Sequence, residues 1–164
     1  MTIRRQASLW VKGVPEIERM RYRFNPAQAQ LIPAHVTLIR EDEVTDWELL
    51  ESRIRKILPI ELTLSFGRPV RDLNFVYLPV ESGITEFDNL RHLLLSDWAT
   101  TPRKQMPHMT IVHPRNGVCS DAAFEEIAEQ IPPCTIVFRE IHLIEQINGG
   151  SWSSFAELLH PTHL

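Results

Sequence analysis

The chain has 164 residues, 43% of them hydrophobic and 23% charged, with a formal net charge of -4. Those values are ordinary for a globular chain, so disorder is not the default, and the charge argues against a protein that coats long nucleic acids, because such binding needs many phosphate-neutralising cations. No apolar run approaches the roughly eighteen residues of a membrane span, and MTIRRQASLWVKGVP is too short in its apolar part for a signal peptide. One folded, cytoplasmic domain spanning residues 1–164 is expected, large enough for a substantial core.

In chain order, ASLWVKG reads as a short apolar strand. Pro15 and EIERMRYRF follow as a helix with Ile17, Met20 and Phe24 on one face, interrupted by Asn25-Pro26. AHVTLIR is a strand rich in β-formers. TDWELLESRIRKIL is a helix with Trp47, Leu50, Ile54 and Leu58 at the helical period and Thr45 as N-cap. IELTLSF closes the first half as an alternating strand. After the turn GRPVRD the order begins again: strand LNFVYLPV, helix ITEFDNLRHLLLSDW, strand HMTIVH, helix SDAAFEEIAEQI, strand CTIVFREIHLI. Beyond the hairpin signal Asn148-Gly149-Gly150 comes a last strand, SWSSFAELLH. Superposing His35 on His108 also sets ELTLSF on CTIVFR without a gap, which predicts an internal duplication of two αβ lobes, roughly 1–68 and 69–164.

Each half carries a strand with a His-x-Thr motif, IPAHVTLIR around His35 and QMPHMTIVHP around His108. Alternation along a strand puts residues i and i+2 on one face, so His35 and Thr37 point together, as do His108 and Thr110. If the two strands face each other across an approximate twofold axis, two imidazoles and two hydroxyls converge on a central cleft. Displacement at phosphorus needs a base for the attacking hydroxyl and an acid for the departing oxygen, and a pair of histidines can divide those roles. Threonine hydroxyls can donate to the phosphoryl oxygens where charge develops, so this chemistry needs neither a metal nor a cofactor.

These motifs make the chain resemble the two-histidine (2H) phosphoesterase superfamily, which includes bacterial RNA 2'-5' ligase-like proteins and cyclic nucleotide phosphodiesterases. The resemblance implies a bilobal α+β fold with antiparallel sheets and pseudo-twofold symmetry. It also implies opening of a 2',3'-cyclic phosphate, or a related cyclic or 2'-5' phosphodiester, on a small nucleotide or RNA end. His35, Thr37, His108 and Thr110 take the family's motif positions, with His108 as base and His35 as acid for hydrolysis. SLWVKGVP resembles the first strand of the cyclic phosphodiesterase branch, which sets Trp10 in the cleft against a base or ribose. Relatives often carry an Arg or aromatic residue five positions after the second histidine; here His113 stands there. Strict alternation points His113 away from His108, and Pro114 can bend the strand back. Arg115 is either the replacement cation or a solvated loop arginine.

Trp152 is open between base stacking and packing, whereas Trp47 and Trp98 sit at helical spacings that read as core. Cys119 and Cys134 lack zinc or disulfide spacing and are expected as free thiols in or near the core. His92 and His142 fall within a helix and a strand, and His160 and His163 form an HxxH spacing in the polar tail. A monomeric enzyme is the leading reading. Its rivals are an idle nucleotide or RNA-end binding module, a reversible RNA 2'-5' ligase and a metal-dependent hydrolase.

Overall fold

The computed structural model describes residues 1–156 and 158. Strand β1 (Ile3–Trp10) is followed by α1 (Pro15–Phe24), α2 (Pro26–Leu31) and β2 (His35–Ile39), then by a 3-10 turn over Glu41–Glu43. Next come α3 (Trp47–Ile57), β3 (Leu62–Phe66), β4 (Val70–Asp72), β5 (Phe75–Ser82) and α4 (Ile84–Leu95). The order ends with β6 (His108–Val112), α5 (Asp121–Gln130), β7 (Cys134–Phe138), β8 (His142–Ile147) and β9 (Trp152–Ala156).

Local chemistry accounts for the helix boundaries. Pro15 and Pro26 occupy the first turns of α1 and α2, where a missing N–H costs nothing. The α3 cap is Asp46, whose Oδ1 accepts from Leu49 N at 3.1 Å, and not the expected Thr45. Thr45 instead accepts from Trp98 Nε1 at 3.0 Å, which ties the loop before α3 to the end of α4. Ser120 caps α5 through Ala123 N at 3.1 Å. Gly83 enters α4 at φ +97, where an added Cβ would meet Thr63 O at 2.3 Å, so the position excludes any side chain.

The strands form two antiparallel sheets, one in the order β2-β1-β8-β9, the other with β5 paired to β4, β3 and β6, and β3 paired to β7. The fold is α+β, as the resemblance implies. The chain does not, however, divide between sheets near residue 68. β3 joins the sheet of the second half, and β8 and β9 return to the sheet of the first. The segments ELTLSF and CTIVFR, equivalent by superposition, pair with each other from Leu62–Phe138 to Phe66–Cys134. The single strand expected over CTIVFREIHLI is accordingly two strands in different sheets, with Ile141 buried at the crossing. The crossing has no glycine or proline to mark it; β1 needs a partner on its second edge, and β8 supplies it from Ile3–Ile147 to Ser8–His142. The expected turn GRPVRD holds β4, whose hairpin to β5 turns at Leu73, φ 53. The Asn148-Gly149 turn between β8 and β9 has φ 51 and 74, the pair of left-handed residues that a tight hairpin requires.

Both sheets bury their helix-facing sides in one continuous core that includes Leu9, Val36 and Leu38 from one sheet and Leu64, Leu78 and Met109 from the other. Trp47 and Trp98 pack against it. Cys119 is buried, Cys134 half-buried, and both are free thiols. Among the described residues no helix is long and apolar enough to cross a membrane. His160 and His163 lie outside the described residues.

Candidate active site

Strands β2 and β6 have the same burial pattern: Val36 and Leu38, like Met109 and Ile111, enter the core, while the His and Thr of each motif stay half-buried on the opposite face. The two motifs share one cleft of about 380 Å³, lined by His35, Thr37, His108 and Thr110. His113 and Arg115 line it as well. The strand ends at Val112, so His113 is released from the alternation that would have turned it away.

The two imidazoles are held alike. His35 Nδ1 lies 2.8 Å from Pro33 O, and His108 Nδ1 lies 3.0 Å from Met106 O, each two residues upstream. A carbonyl oxygen can only accept, so Nδ1 carries the proton in both rings and Nε2 is the nitrogen left for a substrate. Neither Thr37 nor Thr110 has a side-chain hydrogen bond among the described residues, which leaves both hydroxyls able to donate to a ligand.

Burial lowers the His35 pKa from 6.5 to about 4; the bond to Pro33 opposes this, and the charges of Arg21, His108 and His113 reinforce it. His113 is also held below its ordinary value, first by burial and then by Arg115 and His108. In the free protein His35 is therefore a neutral imidazole at neutral pH, the state a base needs and the opposite of the acid role that the resemblance implies.

Several residues that place these groups were not singled out in the sequence. Arg21 is buried and donates to Glu18 Oε1 at 2.6 Å and to Ile32 O at 2.8 Å; Glu18 in turn accepts from Ala34 N at 3.0 Å. Together they brace the backbone entering His35. Asn25, read only as a helix breaker, is buried, with its Oδ1 accepting from His113 N at 2.8 Å and its Nδ2 donating to Asn116 O at 3.2 Å. Gln105 Nε2 donates to Thr37 O at 2.7 Å. The buried Arg91 donates to Leu38 O at 2.6 Å and Arg103 O at 3.0 Å, and pairs with Glu43 at 2.6 Å.

The cleft is more cationic than the net charge suggests. Arg4, Arg5 and Arg40 also line it, with Glu41 and Asp42 at its edge. Arg4 pairs with Glu41 at 3.1 Å and lies 5.5 Å from the centre of the Trp152 ring, which places Trp152 on the cleft wall. Among the described residues Arg40 and Arg115 have no ion-pair partner. Trp10 departs from its expected place. Its indole meets His35 edge-on at 6.1 Å, but it faces an adjoining cavity of about 190 Å³ with Lys12, Phe138, Glu140 and His142. The β1–β2 register sets Trp10 opposite His35 at the end of β1, and its ring packs against His142 with centres 5.4 Å apart. His92 is engaged on its own helix with Asp88 O, away from the site.

A family model described as the 2'-5' RNA ligase superfamily matches residues 8–150 of the chain. Among solved structures, Escherichia coli LigT complexed with phosphate superposes with a TM-score of 0.60 at 17% identity, over 93% of this chain and 94% of that one. A protein described as a phosphoesterase gives 0.56 at 16%, over 93% and 95%. A conserved protein of unknown function from Agrobacterium tumefaciens gives 0.59 at 12%, over 95% and 85%. No curated protein matches the sequence.

Proposed function

The chain belongs to the 2'-5' RNA ligase superfamily, and from that membership and the cleft we propose that it is a metal-independent phosphoesterase. Its substrate is a 2',3'-cyclic phosphate, or a related cyclic or 2'-5' phosphodiester, on a small nucleotide or RNA end. The observation that carries the reading is the pair of imidazoles lining one cleft with both Nδ1 atoms tied to carbonyls. That arrangement leaves two Nε2 atoms for one phosphate, one to take a proton and one to give it.

In the hydrolytic direction one neutral imidazole removes a proton from water, the oxygen attacks phosphorus, and the bond to a ribose oxygen breaks as the other imidazolium protonates it. The depressed His35 supports it as the base, with His108 as the acid. Thr37 and Thr110 donate to the non-bridging oxygens, an interaction that strengthens as charge builds there. Arg115 and Arg40, cations of the cleft without ion-pair partners among the described residues, supply long-range attraction for the anionic ligand. The E. coli LigT structures with phosphate and with 3'-AMP support the ligand class, since that protein holds such groups on the same fold.

The test is incubation with the four nucleoside 2',3'-cyclic monophosphates and a cyclic-phosphate-ended RNA, with and without chelator, using wild type, His35→Ala and His108→Ala. Turnover that persists in chelator and falls by about 100-fold or more in each variant is expected, with losses far from additive in the double variant. Near-wild-type turnover in either single variant would overturn the paired-histidine mechanism. A wild type that binds nucleotide without any turnover would instead favour an idle binding module.

A further inference from the structure

On β5 burial alternates: Val76, Leu78 and Val80 enter the core, while Phe75, Tyr77 and Pro79 remain half-buried on the other face. That other face is the one His108 and Thr110 occupy on β6, because the antiparallel register sets Tyr77 opposite Thr110 and Pro79 opposite His108, and it borders the cleft that those two residues line. Phe75 and Tyr77 are stacked on each other, ring centres 4.7 Å apart and planes 27° apart. Both also meet the His108 imidazole edge-on, at 5.8 and 5.7 Å. Phe75 is not among the partly buried hydrophobic side chains that pack against the core. The burial of a large apolar ring normally explains its presence, so a stacked pair kept off the core and against a catalytic group calls for another partner.

The opposite wall has different chemistry. On β1 the residues sharing the face of Ser8, which lies opposite Thr37, are Trp10, Gln6 and Arg4, and of these Gln6 and Arg4 line the cleft. The arginines of that side, with Trp152 against Arg4, have no counterpart on β5, whose face toward His108 carries Phe75, Tyr77 and Pro79. An anionic phosphate suits the arginine side, and a flat, uncharged heterocycle suits the β5 face. We propose that Phe75 and Tyr77 form a stacking wall for a nucleobase of the substrate on the His108 side of the cleft, a reading that rests on the phosphoesterase function proposed above. The ring faces carry the interaction and the Tyr77 hydroxyl is dispensable.

The experiment compares a ligand with a base against ligands without one. Binding of adenosine 3'-monophosphate and of inorganic phosphate is measured by titration calorimetry for wild type, Tyr77→Ala, Phe75→Leu and Tyr77→Phe. Turnover of adenosine 2',3'-cyclic phosphate and of ribose 2',3'-cyclic phosphate is measured on the same proteins. Loss of a base stack should weaken the nucleotide by about 5- to 150-fold in Tyr77→Ala while phosphate affinity stays within about twofold of wild type. Phe75→Leu keeps apolar bulk, so that a folded variant is in hand, and should show the same selective loss; Tyr77→Phe should retain wild-type affinity. An equal loss for both ligands would show that the pair only holds His108 in place, and no loss for either would remove any role in binding; both overturn the proposal. A wild type that neither binds phosphate nor opens either cyclic phosphate would sink the proposed function itself, and the stacking wall with it. That result differs from a wild type active on both substrates without discrimination by the ring variants.

Discussion

The division of labour between the histidines is the prediction on which the chemistry turns. At pH 7 an imidazole with a pKa of about 4 is protonated in roughly one molecule in a thousand, since each pH unit is a factor of ten. As a base, His35 is therefore ready throughout the neutral range, and kcat/KM should fall on the acid side only near pH 4, as His35 takes up a proton. The shape of the profile cannot by itself say which ring is the base. A state with His35 neutral and His108 protonated titrates in parallel with its converse, so either assignment gives the same bell. A better leaving group separates them, because it needs little help from an acid. The assay is kcat/KM from pH 3.5 to 9 for wild type, His35→Ala and His108→Ala, with a 2',3'-cyclic phosphate and with a phosphodiester carrying a p-nitrophenolate leaving group. The activated substrate should restore much of what His108→Ala loses and little of what His35→Ala loses, and the acid limb should survive in His108→Ala and vanish in His35→Ala. Rescue of His35→Ala instead would refute the base assignment and restore the acid role that the resemblance implies.

Two further outcomes follow from the same site. Thr37→Val and Thr110→Val should lower kcat more than they raise KM, because a hydroxyl aimed at a phosphoryl oxygen gains strength in the transition state; unchanged turnover in both would show the hydroxyls to be structural. The depressed His35 also links stability to pH: its contribution is complete above 6.5 and is lost as the pH falls from 6.5 through 4, by at most about 3 kcal/mol for a half-buried ring. Urea unfolding of wild type and His35→Gln should show a smaller stability drop over that window in the variant, and parallel curves would remove the linkage.

Chemistry was legible where it depends on neighbours in sequence. His35 and Thr37 share a face because strands alternate, and the equality of the two motifs follows from the duplicated order of elements. Phe75 and Tyr77 were not singled out in LNFVYLPV, because nothing local says which of the two faces of that strand is the core. Strand pairing was hidden too. The residues of β3 and β7 carry good strand patterns, but a pattern fixes which side is buried and not which strand lies alongside. Superposing the halves made the two strands look like copies in separate lobes, whereas they are partners in one sheet.

The exchange of strands has a consequence for the site. The two His-x-Thr motifs stand on β2 and β6, which belong to different sheets and share no ladder, so no regular hydrogen-bond register fixes one imidazole relative to the other. Polar links between the sheets do this instead. Gln105, three residues before His108, donates to the backbone oxygen of Thr37, the second residue of the first motif. Arg91 joins Leu38 O to Arg103 O from the side of α4, and its buried pairing with Glu43 keeps the guanidinium from shifting. At the other end of β6, Asn25 holds the His113 N–H from the α1–α2 junction. Each link joins residues 12 to 88 positions apart, which is why a reading confined to local pattern finds the imidazoles and the hydroxyls but not what sets them around one cleft. It also follows that two His-x-Thr strands do not suffice to make this cleft, since motifs on separate sheets need the cross-sheet polar contacts to set one imidazole against the other.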